Sequence, residues 1–190
     1  EHEERSAWGK RPPDVPAAQD EEHFVKFYGE AAERLEAAGY VHYEISNWAL
    51  PGFECRHNLK YWNGAPYRGF GVSAHSFEGG RRFWNSSSMK DYADLVDAGR
   101  LPVAGEEIIT PEMRLEEAFL LGLRQIAGLD IRAIARELGF QYPAEWFTRV
   151  HNLEDTGLVN FDGTVLKLSS SGCLLANGIT QELLCPITLS

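Results

Sequence analysis

The sequence predicts an α/β protein made of two units, at residues 19–109 and 111–184. In the first unit, a helix pattern is followed by a glycine and a short β-rich run, which is the helix-to-strand half of a βα unit. In the second unit, three helix patterns precede an Asp-Gly turn between two apolar runs, which is typical of a hairpin. Hydrophobic residues make up 44% of the chain, which is enough for a core.

The first unit begins after a proline-rich stretch. Residues 1–18 are predicted to be a helix end followed by an exposed loop or linker. Apolar residues at helical spacing predict a helix over residues 20–38, which Gly39 ends. A strand is predicted for residues 40–45, and the chain is expected to turn away at residues 47–52.

The remainder of the first unit is predicted to alternate short helices with extended segments. The helices are expected at residues 58–63 and 88–98, and the extended segments at residues 67–72 and 81–84. Gly99 follows the second helix and closes it.

A strong helix start opens the second unit. Thr110 is a good N-cap, Pro111 suits the first helical position, and Glu112 places an acid in the first turn. Helices are predicted at residues 111–124, 131–138 and 143–155, a hairpin with a type I′ turn at Asp162-Gly163, a last helix at 169–184 and a tail at 185–190. Seven apolar side chains are expected to be buried together: Leu115, Phe119, Leu123, Ile134, Leu138, Phe147 and Leu158.

The second unit resembles a winged-helix module, a fold that often binds DNA. The segment in the position of the recognition helix, residues 143–155, carries Arg149 and His151 but also three acids, so it has no basic stripe. The net charge of −10 also opposes binding to phosphate backbones. We therefore expect partner docking or internal packing here, and no nucleic acid partner.

Composition favours a cytoplasmic protein without a membrane span. No run of about 18 apolar residues occurs. The three cysteines are an odd number and widely spaced, which does not indicate a disulfide framework.

The run from His57 to Tyr61 contains the most informative pair of side chains. In a helical turn, these two residues lie four apart on one face. An imidazole nitrogen is a common ligand of haem iron, and a phenolate oxygen can serve as well. The pair therefore suits a haem or metal site, and the alternative is a buried helix start with a polar cap.

The sequence motifs around this pair resemble those of a known family. They are Tyr43-Glu44-Ile45-Ser46-Asn47-Trp48-Ala49, Pro51-Gly52, Arg56-His57-Asn58 with Tyr61-Trp62, and Gly69-Phe70-Gly71 followed by Ser73-Ala74-His75-Ser76. Over residues 20–184 the chain resembles the haem-chaperone (HemW-like) branch of the radical S-adenosylmethionine family, whose relatives include oxygen-independent coproporphyrinogen III oxidase. The resemblance implies that residues 19–109 close a partial (β/α) TIM-like barrel and that residues 111–184 form the family's winged-helix-like C-terminal module.

In that family, the motif H-N-x-x-Y is associated with haem binding in the chaperones and separates them from the oxidases. Here it reads His57, Asn58 and Tyr61. The resemblance thus implies that His57 ligates haem iron, with Asn58 and Tyr61 in the same site. Arg56 is suited to pair with a haem propionate, since guanidinium binds carboxylate in a bidentate way.

A glycine-rich segment follows, with Gly69, Gly71, Ser73 and Ala74. It superficially fits a dinucleotide G-x-G-x-x-A, but that fingerprint needs a helix directly after it, and none is predicted. The resemblance implies instead a strand beside the pocket for S-adenosylmethionine. The alternative is a strand in which glycine only permits close packing.

Other candidate side chains surround the motif. His75 is a second candidate ligand, whereas Cys55 is a weaker one because the matching family position is commonly serine. Glu44 and Asn47 are expected to hydrogen-bond a cofactor or porphyrin. Aromatic walls for a macrocycle are expected from Trp48, Phe53 and above all Trp62, which could equally belong to the core. If the site is shared, residues 43–46 and 68–72 should be neighbouring strands of one sheet.

Radical members of the family bind a [4Fe–4S] cluster through C-x-x-x-C-x-x-C. The three cysteines here, Cys55, Cys173 and Cys185, do not have this spacing. We therefore expect this chain to be a C-terminal piece, with the cluster and S-adenosylmethionine bound upstream in the full-length protein. No catalytic residue for radical chemistry is predicted in it.

The resemblance implies a haem chaperone that binds haem and transfers it to an acceptor protein such as a respiratory enzyme. Two alternatives stay open. One is an oxygen-independent coproporphyrinogen III oxidase, and the other is a non-catalytic docking module with an inert motif. Whether the protein is an enzyme is left open, and the chaperone is favoured because His57, Asn58 and Tyr61 are present.

Overall fold

A computed structural model describes residues 17–185 and Ile187, with side chains from residue 22 onward. The predicted linker at residues 1–16 and most of the predicted tail lie outside these residues. Every strand pair in the described part is antiparallel, so the architecture is mixed α/β. Among the described helices, none is long and apolar enough to cross a membrane.

The described part of the chain begins with a long helix and a hairpin. Helix α1 spans Ala17–Ala37, and strands β1 (Val41–Glu44) and β2 (Asn47–Ala49) pair antiparallel. The helix and the first strand are confirmed, but the turn predicted for residues 47–52 begins too early. Asn47–Ala49 is extended because Trp48 pairs across the hairpin with His42, and their rings stack with centroids 4.1 Å apart.

A second sheet follows, with the order β3-β4-β5. The elements of this region are α2 (Arg56–Trp62), β3 (His75–Glu78), β4 (Arg81–Asn85), α3 (Met89–Asp97) and β5 (Val103–Ile108). The hydroxyl of Ser88 caps α3 by accepting the backbone N–H of Asp91 at 3.2 Å.

The strand predicted for residues 67–72 is wrong. Tyr67 makes one bridge to Phe77, and the chain then turns, with positive φ at Gly71 (+102°) and Ser73 (+58°). Such φ values interrupt an extended strand. Residues 43–46 and 68–72 are therefore not neighbouring strands of one sheet, because β2 is the strand that pairs with β1 in the part of the chain that the structure describes.

The second unit has the predicted helices and hairpin, with one additional strand. Its elements are α4 (Pro111–Gly122), β6 (Leu129–Asp130), α5 (Ile131–Leu138), α6 (Ala144–Asp155), β7 (Val159–Phe161), β8 (Val165–Leu168), α7 (Ser170–Leu174) and α8 (Ala176–Leu184). The cap at Thr110 is confirmed, since its hydroxyl accepts the N–H of Met113 at 3.3 Å. The unpredicted β6 completes a sheet in the order β6-β8-β7.

Two local predictions in this unit fail. The last helix is broken at Leu175, so residues 169–184 form α7 and α8. The hairpin turn is not type I′, because only Gly163 has positive φ there (+87°) and Asp162 does not. Instead, the N–H groups of Val165 and Thr164 donate to the Asp162 carboxylate at 2.7 and 2.9 Å, which lowers the pKa of that carboxyl.

The core lies in the second unit. Leu115, Phe119, Leu123 and Ile134 are buried as predicted, and Leu138 and Leu158 are partly buried against them. Phe147 is 39% exposed, which corrects the prediction. The buried face of α6 is formed instead by residues at helical spacing, namely Trp146, Val150 and Leu153.

A buried carboxylate joins the two units. Glu44, at the end of β1, is 0% exposed, and its Oε1 accepts a hydrogen bond from Nη2 of Arg124 at 2.7 Å. Its Oε2 accepts from the backbone N–H of Ser46 at 3.1 Å and from the side-chain amide of Asn47. Arg124 follows α4, so this pair spans 80 residues of sequence. Glu44 and Asn47 therefore stabilise the fold, rather than reaching a cofactor as expected.

Backbone hydrogen bonds run beside this ion pair. The N–H of Ile45 donates to the carbonyl of Arg124 at 3.0 Å, and the N–H of Ile126 donates to the carbonyl of Tyr43 at 3.2 Å. The end of β1 is thus fixed by backbone hydrogen bonds as well as by the ion pair of Glu44 with Arg124.

Trp146→Ala should lower the free energy of unfolding by about 3–5 kcal/mol, because it empties a fully buried site. Phe147→Ala is the matched control, since this neighbouring aromatic is partly exposed, and it should cost clearly less. Urea denaturation measures both. Equal losses would contradict the assignment of the buried face of α6.

Glu44→Gln should lower the free energy of unfolding by about 3 kcal/mol, because it breaks a buried ion pair. This is the low end of the usual range, since the Arg124 side chain is 32% exposed. Glu106→Gln, in the exposed pair with Arg81, should change stability by less than about 1 kcal/mol. Similar denaturation midpoints for the two variants would show that the buried pair does not stabilise the fold.

Candidate functional site

The predicted pair lies on one helical turn. The His57 and Tyr61 rings of α2 meet edge to face, with centroids 4.9 Å apart and an interplanar angle of 81°. His57 is exposed and Tyr61 is half-buried, so the imidazole ring can be reached from solvent. The alternative of a buried, polar-capped helix start is wrong. All seven residues of α2 are exposed or half-buried, and Cys55 precedes the helix without a side-chain capping bond among the described residues.

Two positive charges flank the pair. Arg56 is exposed at the start of α2, and Lys60 is exposed one turn later on the same face. Asn58 lies between them and is half-buried. Lys60 was not among the predicted site residues. Its spacing of four from Arg56 nevertheless indicates a shared helix face, as the same spacing does for His57 and Tyr61. The arrangement can pair with carboxylates beside an iron ligand.

Aromatic side chains continue from Tyr61 into the second sheet. The Tyr61 and Tyr67 rings lie with centroids 4.3 Å apart, and those of Tyr67 and Phe77 lie 6.4 Å apart. Tyr61 and Tyr67 also line a hollow of about 390 Å³, together with Trp62, Arg82, Glu117, Leu120 and Leu121. A largely apolar hollow therefore adjoins the motif.

Of the three aromatic residues expected to form walls, one lines this hollow. Trp62 is half-buried, and the Arg124 guanidinium lies 5.2 Å from its ring centroid. Its buried Nε1 has no hydrogen-bond acceptor among the residues the structure describes. Trp48 is stacked on His42 in the β1–β2 hairpin, and Phe53 is 79% exposed in the loop before α2.

Side chains after α4 hold the end of α2. The Gln125 side-chain amide donates to Oδ1 of Asn63 at 3.0 Å, directly after the helix. Together with Arg124 over Trp62, this contact fixes α2 against the second unit. Arg124 and Gln125 were missed in the sequence, since nothing local marks a contact 62 residues away.

The glycine-rich segment is a hydrogen-bonded loop rather than a strand. A Cβ on Gly69 would lie 2.2 Å from the carbonyl oxygen of His75, so close packing requires glycine there. The side chain of Asn85 donates to the carbonyl of Gly71 at 2.9 Å, and the N–H of Gly71 donates to the Tyr92 hydroxyl at 3.2 Å. Close packing thus accounts for Gly69, and the positive φ of +102° accounts for Gly71. A contact of Gly69, Gly71, Ser73 and Ala74 with S-adenosylmethionine stays a prediction.

The secondary ligand candidates lie outside α2. His75 is exposed on β3 and shares a strand face with Phe77, and its ring centroid is 5.7 Å from that of Trp84. Cys55 is exposed immediately before α2. Within the described residues, no three His, Cys, Asp or Glu side chains gather as a metal site.

The cysteines do not fit a [4Fe–4S] cluster. Cys173 is buried in α7, whereas Cys55 and Cys185 are exposed, and all three are free thiols. Their positions in the sequence and the fold do not provide three thiolates for one cluster.

The chain is similar in sequence to several known proteins. Residues 109–175 match the HemN C-terminal domain. The chain is 36% identical over 168 residues to a protein named heme chaperone HemW from Mycobacterium tuberculosis, covering 88% of this chain and 41% of the relative. It is 33% identical over 159 residues to that of Bacillus subtilis, covering 84% of this chain and 42% of the relative. The chain thus spans about two fifths of the length of these relatives.

A solved structure shares the fold. Coproporphyrinogen III oxidase (HemN) from Escherichia coli, described as a radical SAM enzyme, superposes with a TM-score of 0.66. The match covers 91% of this chain and 43% of that chain at 20% identity, so it supports the fold alone. The resemblance first seen around His57 is confirmed over most of the chain, which is HemW-like and carries a HemN C-terminal domain.

Proposed function

We propose that this chain forms the haem-holding part of a haem chaperone and that the cargo is passed to an acceptor protein. The observation that carries the proposal is the exposed one-turn pairing of His57 and Tyr61 in a chain 36% identical to a protein named heme chaperone HemW. His57 is the proposed iron ligand. Tyr61 assists by ligation or by hydrogen bonding.

Charge and shape around α2 support haem as the cargo. Arg56 is proposed to pair with a propionate, and Lys60 offers a second cation on the same face. The amide of Asn58 is proposed to hydrogen-bond within the loaded site. The adjoining hollow, with Tyr61, Trp62 and Tyr67, offers aromatic surface to a flat macrocycle.

An exposed ligand suits transfer rather than storage. A chaperone must release haem, and an imidazole on a surface helix can be approached by the ligand of an acceptor. A respiratory enzyme is the proposed acceptor class. The cytoplasm is the proposed compartment, in keeping with the three free cysteines.

The finer architecture is also a proposal. We propose that residues 19–109 belong to the closing part of a (β/α) barrel in the full-length protein, and that residues 111–184 act as a winged-helix-like docking module. A [4Fe–4S] cluster and S-adenosylmethionine are assigned to another part of that protein, with residues 69–74 beside their pocket. An oxidase function is not proposed, because the likeness to HemN at 20% identity supports only the fold.

His57→Ala in the full-length protein should weaken haem binding and shift the haem absorption band, because it removes a metal–nitrogen bond. Loss of an outer-shell partner of a metal ligand costs about 10- to 100-fold in affinity. Loss of the ligand itself should therefore raise the dissociation constant at least about tenfold. Haem titration followed by absorption spectroscopy measures both quantities.

His23→Ala, an exposed histidine on α1, is the matched control and should bind as the parent does. Tyr61→Phe should perturb the band less than His57→Ala if the phenol only hydrogen-bonds. Identical spectra and dissociation constants for the parent and His57→Ala would remove His57 as the ligand. His75 and Cys55 would then be tested.

A further inference from the structure

Tyr61 is supported from the side by a residue of another segment. The Tyr67 ring lies against it at 4.3 Å between centroids, with an interplanar angle of 50°. The backbone of Tyr67 is fixed by two hydrogen bonds, since its N–H donates to the carbonyl of Phe77 and its carbonyl accepts the N–H of Phe77, both at 2.9 Å. A sheet strand therefore supports the Tyr67 ring.

Charged side chains hold the other side of the hollow next to Tyr67. Arg82 of β4 pairs with Glu107 of β5 at 2.7 Å and with Glu117 of α4. Both Arg82 and Glu117 line the hollow with Tyr67. Burial raises the pKa of the Tyr67 phenol. Arg82 and its two carboxylate partners thus form a partly buried cluster beside Tyr67. This cluster connects strands β4 and β5 with helix α4.

Helix α2 depends on contacts with other segments for its stability. It has seven residues, and an isolated helix of this length is marginal in water. Its first turn lacks an acidic residue, and the Cys55 side chain gives it no capping bond within the described structure. The orientation of the Tyr61 ring is therefore set by tertiary contacts, and the Tyr67 ring supplies the closest ring contact from outside α2.

We propose that Tyr67 is a positioning residue for the haem site. Its ring holds Tyr61 edge-on to His57, which keeps the phenol beside the imidazole that would hold the iron. Tyr67 acts through Tyr61 and does not ligate haem. The inference rests on the proposed haem site and adds a residue outside the H-N-x-x-Y motif.

The test compares Tyr67→Leu with Tyr67→Phe in the full-length protein by haem titration. Loss of the ring should raise the dissociation constant for haem about tenfold, as for an outer-shell partner. It should also shift the absorption band in the direction seen for Tyr61→Ala. Tyr67→Phe keeps the ring and should bind haem as the parent does.

A double-mutant cycle separates positioning from general weakening. If Tyr67 acts through Tyr61, then Tyr67→Leu should add nothing to the effect of Tyr61→Ala. Phe161→Leu is the control, a comparable change at a half-buried aromatic residue on β7 outside these contacts. Unfolding free energies are measured for every variant, and Phe161→Leu should lower stability without moving the haem band.

Three results would overturn the inference: parent-like binding by Tyr67→Leu, an additive double mutant, or an equal loss of haem affinity in Phe161→Leu. Any of these, found while His57→Ala still weakens binding, leaves the proposed haem site standing and removes only Tyr67. Parent-like binding by His57→Ala would instead remove the site, and the role of Tyr67 with it.

Discussion

The buried carboxylate of Glu44 is the constraint on which the arrangement of the two units depends. A charge that is shielded from water is tolerated only when it is paired and hydrogen-bonded. Arg124 supplies the charge at 2.7 Å, and the backbone of Ser46 and the amide of Asn47 supply the remaining donors. Because Arg124 follows α4, satisfying this one carboxylate places the β1–β2 hairpin against the helical unit.

The helix that bears His57 and Tyr61 depends on the same contacts between the two units. Arg124 also covers the Trp62 ring, and Gln125 holds Asn63 at the end of α2. Tyr67 supports the helix from the sheet side through Tyr61. A short helix that is weak alone is thus held at its end and along one side, while its first turn, with His57, faces solvent. That division suits the proposed haem carrier, because the proposed ligand remains accessible to an acceptor.

Features set by neighbouring residues could be predicted from the sequence, whereas features set by distant contacts could not. The cap at Thr110 and the one-turn pairing in α2 are local, and the structure confirms them. The strand expected at residues 67–72 failed because its glycines serve a turn held by Asn85 and Tyr92.

The same limit applies to the site. His57 and Tyr61 could be found from a motif, but the supporting residues Arg124, Gln125 and Tyr67 lie in other segments and carry no local signal. The structure of the haem-loaded full-length protein, at a resolution that shows the iron ligands, tests the central claim most directly. We predict iron bonded to a ring nitrogen of His57, with Tyr61 beside it and still in contact with Tyr67. Iron bonded to His75 or Cys55, with His57 free in solvent, would contradict the account.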